Sequence, residues 1–296
     1  MRILCTFPGK FGDLLWALPT IRAISRRVGA PVDLVVAAPF ASICPLIEAQ
    51  PYIGYCHDHA DWQVQDTAPI SPRVPPTLPR PGSYDLVLHL GYTGWPMPDL
   101  VRHTLHTVNA ALPQFPPELE LSLELREDEL DLATPWITET TQPSSRSIRF
   151  PWCHGFTDEH FELKFGVAAL VKRHWSRPLS SPQVPTRIGA SPRWTTEAKE
   201  SARTWEESAT ILQHSLAFLG CCSALHVLAV AMGIPAVVVE PNPHRHNPVF
   251  YPLGTTGPQV TLVRGIDGLP TFDARHVADT LTHVLTQRPT QTGVSS

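Results

Sequence analysis

The sequence predicts an α/β protein of two domains, each a parallel sheet flanked by helices. Three observations carry that prediction. Apolar runs of strand length alternate with amphipathic helical stripes along most of the chain. The length, 296 residues, suits two domains of this kind better than one. The polar run Pro143-Ser144-Ser145-Arg146-Ser147 separates two such series, so residues 1–143 and 144–296 are the expected units.

Arg2-Ile3-Leu4-Cys5-Thr6 reads as the first strand. Leu14, Leu18, Ile21, Ile24 and Val28 then recur at spacings of three and four, a helical stripe. Pro19 lies within it and lacks the N–H that a helix interior needs, which predicts a kink or a helix in two pieces. Residues 32–36 form the second strand, 41–48 a short helix, 84–90 a third strand and 99–112 a helix. Between them, residues 69–81 hold six prolines and read as an extended, polyproline-like connector. Its Pro-x-x-Pro spacing suits an SH3-type module, but a plain surface loop needs no partner and is the preferred reading. The second series runs strand 148–152, helix 158–174, strand 186–190, helix 206–214, strand 216–220, helix 223–232, strand 236–240, strand 260–264 and a terminal helix 273–287. Such alternation gives parallel sheets with right-handed crossovers and ligand sites outside the carboxyl ends of the strands. The two domains are expected to face each other across a cleft.

Composition narrows the class. Hydrophobic residues make up 43% of the chain, enough for real cores. No apolar run approaches the ~18 residues of a membrane span. The apolar N-terminus breaks at Pro8, unlike a signal peptide. Six cysteines show no C-x-x-C pair and no zinc spacing, so they read as small buried hydrophobes in a reducing cytoplasm, with peripheral membrane contact left open. Charge is uneven. Residues 1–145 hold 9 Lys+Arg against 16 Asp+Glu, whereas residues 146–203 hold 10 against 5. The middle of the chain therefore suits an anionic ligand better than the first half does.

Two strand-to-helix corners carry the chemistry. The first is Phe11-Gly12-Asp13-Leu14-Leu15-Trp16-Ala17-Leu18-Pro19, where a carboxylate follows a glycine that would let another molecule approach the backbone. From pattern alone, Asp13 is a helix N-cap. Lys10, just upstream, is a candidate for the cleft. The second corner is Leu216 to His226, in which Gly220, Ser223 and Ala224 leave the N–H groups of a helix start open to phosphate. Glu240 ends the next strand, placed for a ribose hydroxyl, and His244 and His246 follow in a polar loop. His226 is either a neutral donor to phosphate or a packed core histidine. Trp152, Cys153 and His154 end the first strand of the second domain and face the cleft. Trp175, Trp194 and Trp205 interleave with basic residues, a mixture that suits base stacking or plain packing. His57, His59 and Asp61 resemble a metal cluster on paper, but turn-rich loops collect such residues without metal.

Together the two corners resemble the heptosyltransferase family of GT-B glycosyltransferases. Gly12-Asp13-Leu14-Leu15-Trp16-Ala17-Leu18-Pro19 is similar to that family's opening box, residues 84–90 to its "YDLVIDL" strand, and Phe218–Ala229 with Met232-Gly233-Ile234-Pro235 to its closing "F-x-G-x-D-S-G-x-x-H-L-A" box. The resemblance implies two Rossmann-like domains, the first for the acceptor and the second for a nucleotide-diphospho-sugar. It implies that Asp13 is the general base of an inverting transfer. Gly12, Cys222, Ser223, Ala224, Leu225, His226, Glu240 and His244 would surround the donor, and no metal or other cofactor would be needed. Cys222 stands where the family has Asp, and Ala224 where it has Gly. A saccharide or lipid-linked acceptor follows from the resemblance. Rival readings are a GT-B enzyme acting on hydroxymethylated bases of phage DNA, a non-catalytic nucleotide binder, and a nucleotide-sugar epimerase. The acidic first half argues against the nucleic-acid acceptor.

Overall fold

The computed structural model describes residues 1–60, 62, 70–79, 82–92, 100–115, 123–140, 152–154, 204–213, 217–220, 224–240, 260–264, 276, 279–280 and 283–284. In the first half these form β1 (Ile3–Phe7), α1 (Phe11–Val28), β2 (Val32–Ala37), α2 (Cys44–Glu48), β3 (Ile53–His59), β4 (Leu86–His89) and α3 (Leu100–Ala111). The second half contributes β5 (Trp152–His154), α4 (Trp205–Gln213), β6 (Phe218–Gly220), α5 (Ala224–Ala231), β7 (Ala236–Glu240) and β8 (Val260–Arg264). They build two four-stranded sheets, ordered β3-β2-β1-β4 and β5-β6-β7-β8, with every pairing parallel. The expected boundary at residues 143–147 lies outside the described residues, as do the strand at 186–190 and the helix at 158–174. Among the described residues no helix is long and apolar enough to cross a membrane.

The strand order explains how the front sheet is covered. From β1 the chain steps to β2 and β3 on one side, then returns to place β4 on the other. Right-handed crossovers thus put α1 and α2 on one face and the β3–β4 connection on the opposite face. Ile3, Cys5, Phe7, Leu34, Val36, Leu86 and Leu88 point to the helical face and join one core with residues of α1 and α3. Leu4, Val35 and Ala37 point the other way and are covered by Trp62, with Leu78 and Tyr84 beside them. The proline-rich connector is therefore a structural layer in place of a helix. His59 shares a 2.7 Å hydrogen bond with Thr77, and His89 one of 2.8 Å with Thr6, at this face.

Strand β3 was missed in the sequence, which read residues 57–61 as a turn-rich loop. It is an edge strand with a register shift between Val32 and Leu34 of its neighbour, and that irregularity blurs its alternation. His57 and His59 lie on this strand, and no group of metal-ligating side chains occurs among the described residues. The cysteines also depart from expectation. Cys44 and Cys56 form a disulfide between α2 and β3, whereas Cys5 is a free, buried thiol. That pairing removes one support for the reducing compartment.

Helix α1 is the keystone of the molecule. It runs unbroken for 18 residues through Pro19, where the sequence predicted a break. Pro19 cannot donate to the carbonyl of Leu15, and the indole N–H of Trp136 does so instead, at 3.0 Å. Further along, the guanidinium of buried Arg22 donates to the carbonyls of Pro135 (2.8 Å), Asp131 (2.7 Å) and Leu130 (3.1 Å). The segment so gripped leads out of the front sheet. Its Trp136 and Ile137 N–H groups donate to Ala231 at the end of α5, and Tyr52 donates its hydroxyl to the Trp136 carbonyl. One apolar core consequently continues from the front sheet through α1 into α5, β6 and β7.

Candidate active site

Strand β1 ends at Phe7, and Pro8-Gly9-Lys10 turns the chain into α1 at the carboxyl edge of the front sheet. Lys10 is the N-cap, with extended backbone, and Asp13 is the third helical residue rather than the cap. Its carboxylate Oδ2 accepts the Lys10 backbone N–H at 3.1 Å, satisfying one of the orphan donors at a helix start. The carbonyl of Asp13 accepts the hydroxyl of Tyr92 at 2.8 Å. Tyr92 is fully buried two residues past Leu90, edge-on to the Phe7 ring at 5.4 Å, and burial together with the Asp13 charge pushes its hydroxyl pKa well up.

Asp13 is half-buried, and the loss of solvent pushes its carboxyl up to about 6. The Lys10 N–H and ammonium charge oppose that rise without cancelling it. A carboxylate that holds its proton to near neutrality is a far better base than one at the usual value of 3.8. Gly9 makes room for it. A side chain there would lie 2.7 Å from Asp13 Cβ and 2.9 Å from Phe7 Cζ. The sequence points to Gly12, inside α1, whereas Gly9 lies just before the N-cap Lys10.

Gly12 does something else. Its open Cα faces the start of α5, where an added Cβ would sit 3.6 Å from Ala224 Cα and 3.7 Å from Val227 Cγ2. The glycine thus lies against the start of a second helix. Two helix N-termini converge here, one from each sheet, and their dipoles favour negative charge between them. His226 is buried and meets Trp16 of α1 edge-on, with ring centroids 6.4 Å apart. It thus takes part in the packing between α1 and α5. Leu225 beside it is partly buried against the common core.

Phe11 heads α1, two residues before Asp13. It packs against Phe40, just beyond β2, at 4.6 Å and against Trp205, at the head of α4, at 4.7 Å. All three rings are half-buried. Phe40 was not singled out in the sequence because its role depends on a neighbour from the other half of the chain.

On the back sheet, Trp152 pairs in register with Phe218 and His154 with Gly220, while Glu240 stands opposite Arg264 at the carboxyl end of β7. His154, Gly220 and Glu240 therefore belong to one sheet edge. Cys222, Ser223, His244 and His246 lie outside the described residues.

The fold so assembled, two parallel sheets meeting at a pair of helix starts, is that of the GT-B glycosyltransferases. Solved structures of this type match nearly the full chain. A glycosyl transferase family 9 protein from Veillonella parvula aligns over 97% of this chain and 97% of its own, with a TM-score of 0.56 and 12% identity. The E. coli heptosyltransferase WaaC, solved with ADP, aligns over 96% and 100%, with a TM-score of 0.52 and 13% identity. E. coli ADP-heptose lps heptosyltransferase II aligns over 97% and 99%, with a TM-score of 0.50 and 14% identity. At such identities the likeness concerns the fold. No protein-family model matches the sequence, and no curated protein does.

Proposed function

We propose that this chain is a glycosyltransferase that moves a sugar from a nucleotide-diphospho-sugar to an acceptor hydroxyl, with Asp13 as the general base. One observation carries the reading: a carboxyl pushed up to about 6 sits in the first turn of α1, where that turn meets the start of α5. Asp13 removes the acceptor hydroxyl's proton as its oxygen attacks the anomeric carbon. The bond from that carbon to the diphosphate oxygen breaks, its electron pair leaves with the nucleoside diphosphate, and the configuration inverts. Asp13 then releases the proton to water.

The donor lies against the back sheet. The N–H groups at Ala224 and Leu225, led into by Cys222 and Ser223, meet the diphosphate at the positive end of α5. Glu240 serves the ribose from the same sheet edge, with Trp152, His154 and His244 around the sugar. On this reading residues 1–143 are the acceptor domain and residues 144–296 the donor domain. A diphosphate donor agrees with the ADP in the E. coli WaaC structure.

A thermal-shift panel of nucleotide sugars and free nucleotides tests the donor half. A selective nucleotide sugar should raise the unfolding temperature by mass action. Turnover of that donor by Asp13→Asn, measured as nucleoside diphosphate release, tests the base. Absence of any shift, or an Asp13→Asn protein as active as the parent, refutes the proposal.

A further inference from the structure

The turn that carries Asp13 is held in several ways, and one of the holds comes from outside helix α1. The Lys10 backbone N–H donates to Asp13 Oδ2 at 3.1 Å, and Gly9 leaves open the space beside Asp13 Cβ. The outside hold is Tyr92, whose hydroxyl donates to the Asp13 carbonyl at 2.8 Å. An α-helix already supplies that carbonyl with the N–H four residues on, that of Ala17, so the tyrosine bond is additional to the helical ladder. The helix does not need it to form. What the bond fixes is where the first turn sits against the ends of the strands.

Tyr92 is itself anchored. It follows β4 by three residues and is buried, its ring edge-on to that of Phe7 at the end of β1. Its N–H donates to the Ile70 carbonyl of the proline-rich connector. Gly91 before it is gripped by Thr107 of α3, whose hydroxyl donates to the Gly91 carbonyl at 3.1 Å. A side chain on Gly91 would meet Pro72 N at 2.6 Å, so the connector lies directly on this backbone. The hydroxyl so placed keeps its proton, because burial and the Asp13 charge both push its pKa well up, and it remains a donor at neutral pH.

We infer that Tyr92 is a positioning residue for Asp13: anchored by the connector and α3, its hydroxyl holds the first turn of α1 where the carboxyl meets the acceptor hydroxyl. The assignment rests on the transferase reading above. Tyr92 acts through the Asp13 backbone and takes no proton in the transfer. Without the bond the turn loosens, water reaches the carboxyl, and its proton affinity falls back toward that of an ordinary aspartate.

The test compares Tyr92→Phe with Tyr84→Phe in the full chain. Tyr84 lies just before the other end of β4 and donates its hydroxyl to Asp33 at 2.8 Å, so each variant loses one hydroxyl bond and keeps its ring. Unfolding temperatures confirm that both fold. The first measurement needs no ligand: NMR titration of the protein labelled at the aspartate carboxyl carbons, with the Asp13 signal assigned by its loss in Asp13→Asn. The Asp13 midpoint, about 6 in the parent, should drop by about half a pH unit or more in Tyr92→Phe and stay in place in Tyr84→Phe. The second is nucleoside diphosphate release from the nucleotide sugar that gives the largest thermal shift. Tyr92→Phe should lower kcat about tenfold with donor KM and thermal shift unchanged, and Tyr84→Phe should keep the parent's kcat. An Asp13 midpoint that stays put in Tyr92→Phe, an unchanged kcat, or a loss that Tyr84→Phe reproduces overturns the inference. Where Asp13→Asn is inactive and the donor shift intact, such a result removes this inference alone. A displaced Asp13 midpoint in Tyr92→Phe, beside a missing donor shift or a fully active Asp13→Asn, removes the transferase reading and leaves the hold on Asp13 standing.

Discussion

The two ends of helix α1 obey opposite rules. At its C-terminal end Arg22, Arg26 and Arg27 meet partners for their charge, and the segment they hold carries the chain toward the second sheet. At its N-terminal end Asp13 sits with one backbone N–H and a burial cost that lifts its pKa. One end pairs its charges, and the other holds the desolvated carboxyl that the proposed base requires.

The largest expected effect breaks the N-terminal end. Asp13→Asn keeps a side-chain acceptor for the Lys10 N–H but abolishes the base, so turnover should fall about 10³-fold while donor affinity persists. The parent's turnover should rise with pH through about 6 as Asp13 loses its proton. Stability should move the other way. A carboxyl with a raised folded-state pKa favours folding fully below its unfolded value of 3.8 and loses that contribution as pH climbs through about 6. Asp13→Asn is thus more stable than the parent above pH 6, by up to about 3 kcal/mol. Urea unfolding at two pH values reads this difference; a helix cap with no other role would give a less stable variant at both.

The next effect breaks the other end. Arg22→Met removes a buried guanidinium from three carbonyls, and the orphaned acceptors should cost about 3 kcal/mol. The urea midpoint should fall with little change in slope. Equal stability of variant and parent would show that these carbonyls find other donors.

Trp136→Phe probes the middle of the helix and should cost about 1–2 kcal/mol, because the Leu15 carbonyl loses its donor. Pro19→Ala supplies a backbone N–H to that same carbonyl, so the penalty of Trp136→Phe should shrink in its presence. A double-mutant cycle measures the coupling. Strict additivity would mean that the indole is not what lets the helix pass Pro19.

How much of this was legible follows from range. Residues 236–240 and 260–264 read as strands and are strands, because their apolar runs are dictated locally. Asp13 was visible because its corner is contiguous in sequence. The unbroken α1 was not, since its remedy comes from Trp136, more than a hundred residues away. The same holds for Tyr92 behind Asp13 and for the aromatic cluster, where Phe40 and Trp205 converge only in the fold. Strand β3 was hidden for a different reason: an irregular edge pairing erases the alternation by which strands are read.

The two glycines of the first turn give the smallest effect and the sharpest contrast. Gly9→Ala drives a methyl against the buried Phe7 ring and Asp13 Cβ, and neither yields cheaply, so about 1–3 kcal/mol should be lost and turnover with it. Gly12→Ala meets Ala224 and Val227 at ordinary contact distance, 3.6 and 3.7 Å, and alanine is the better helix former. Its unfolding midpoint should match the parent's within about 0.5 kcal/mol, and its nucleotide-sugar shift should be unchanged. A Gly12→Ala protein that folds as well as the parent yet no longer responds to the donor would restore Gly12 as a place where phosphate touches the backbone. A protein that responds normally leaves that glycine to the contact between α1 and α5, and Gly9 as the residue that gives Asp13 its room.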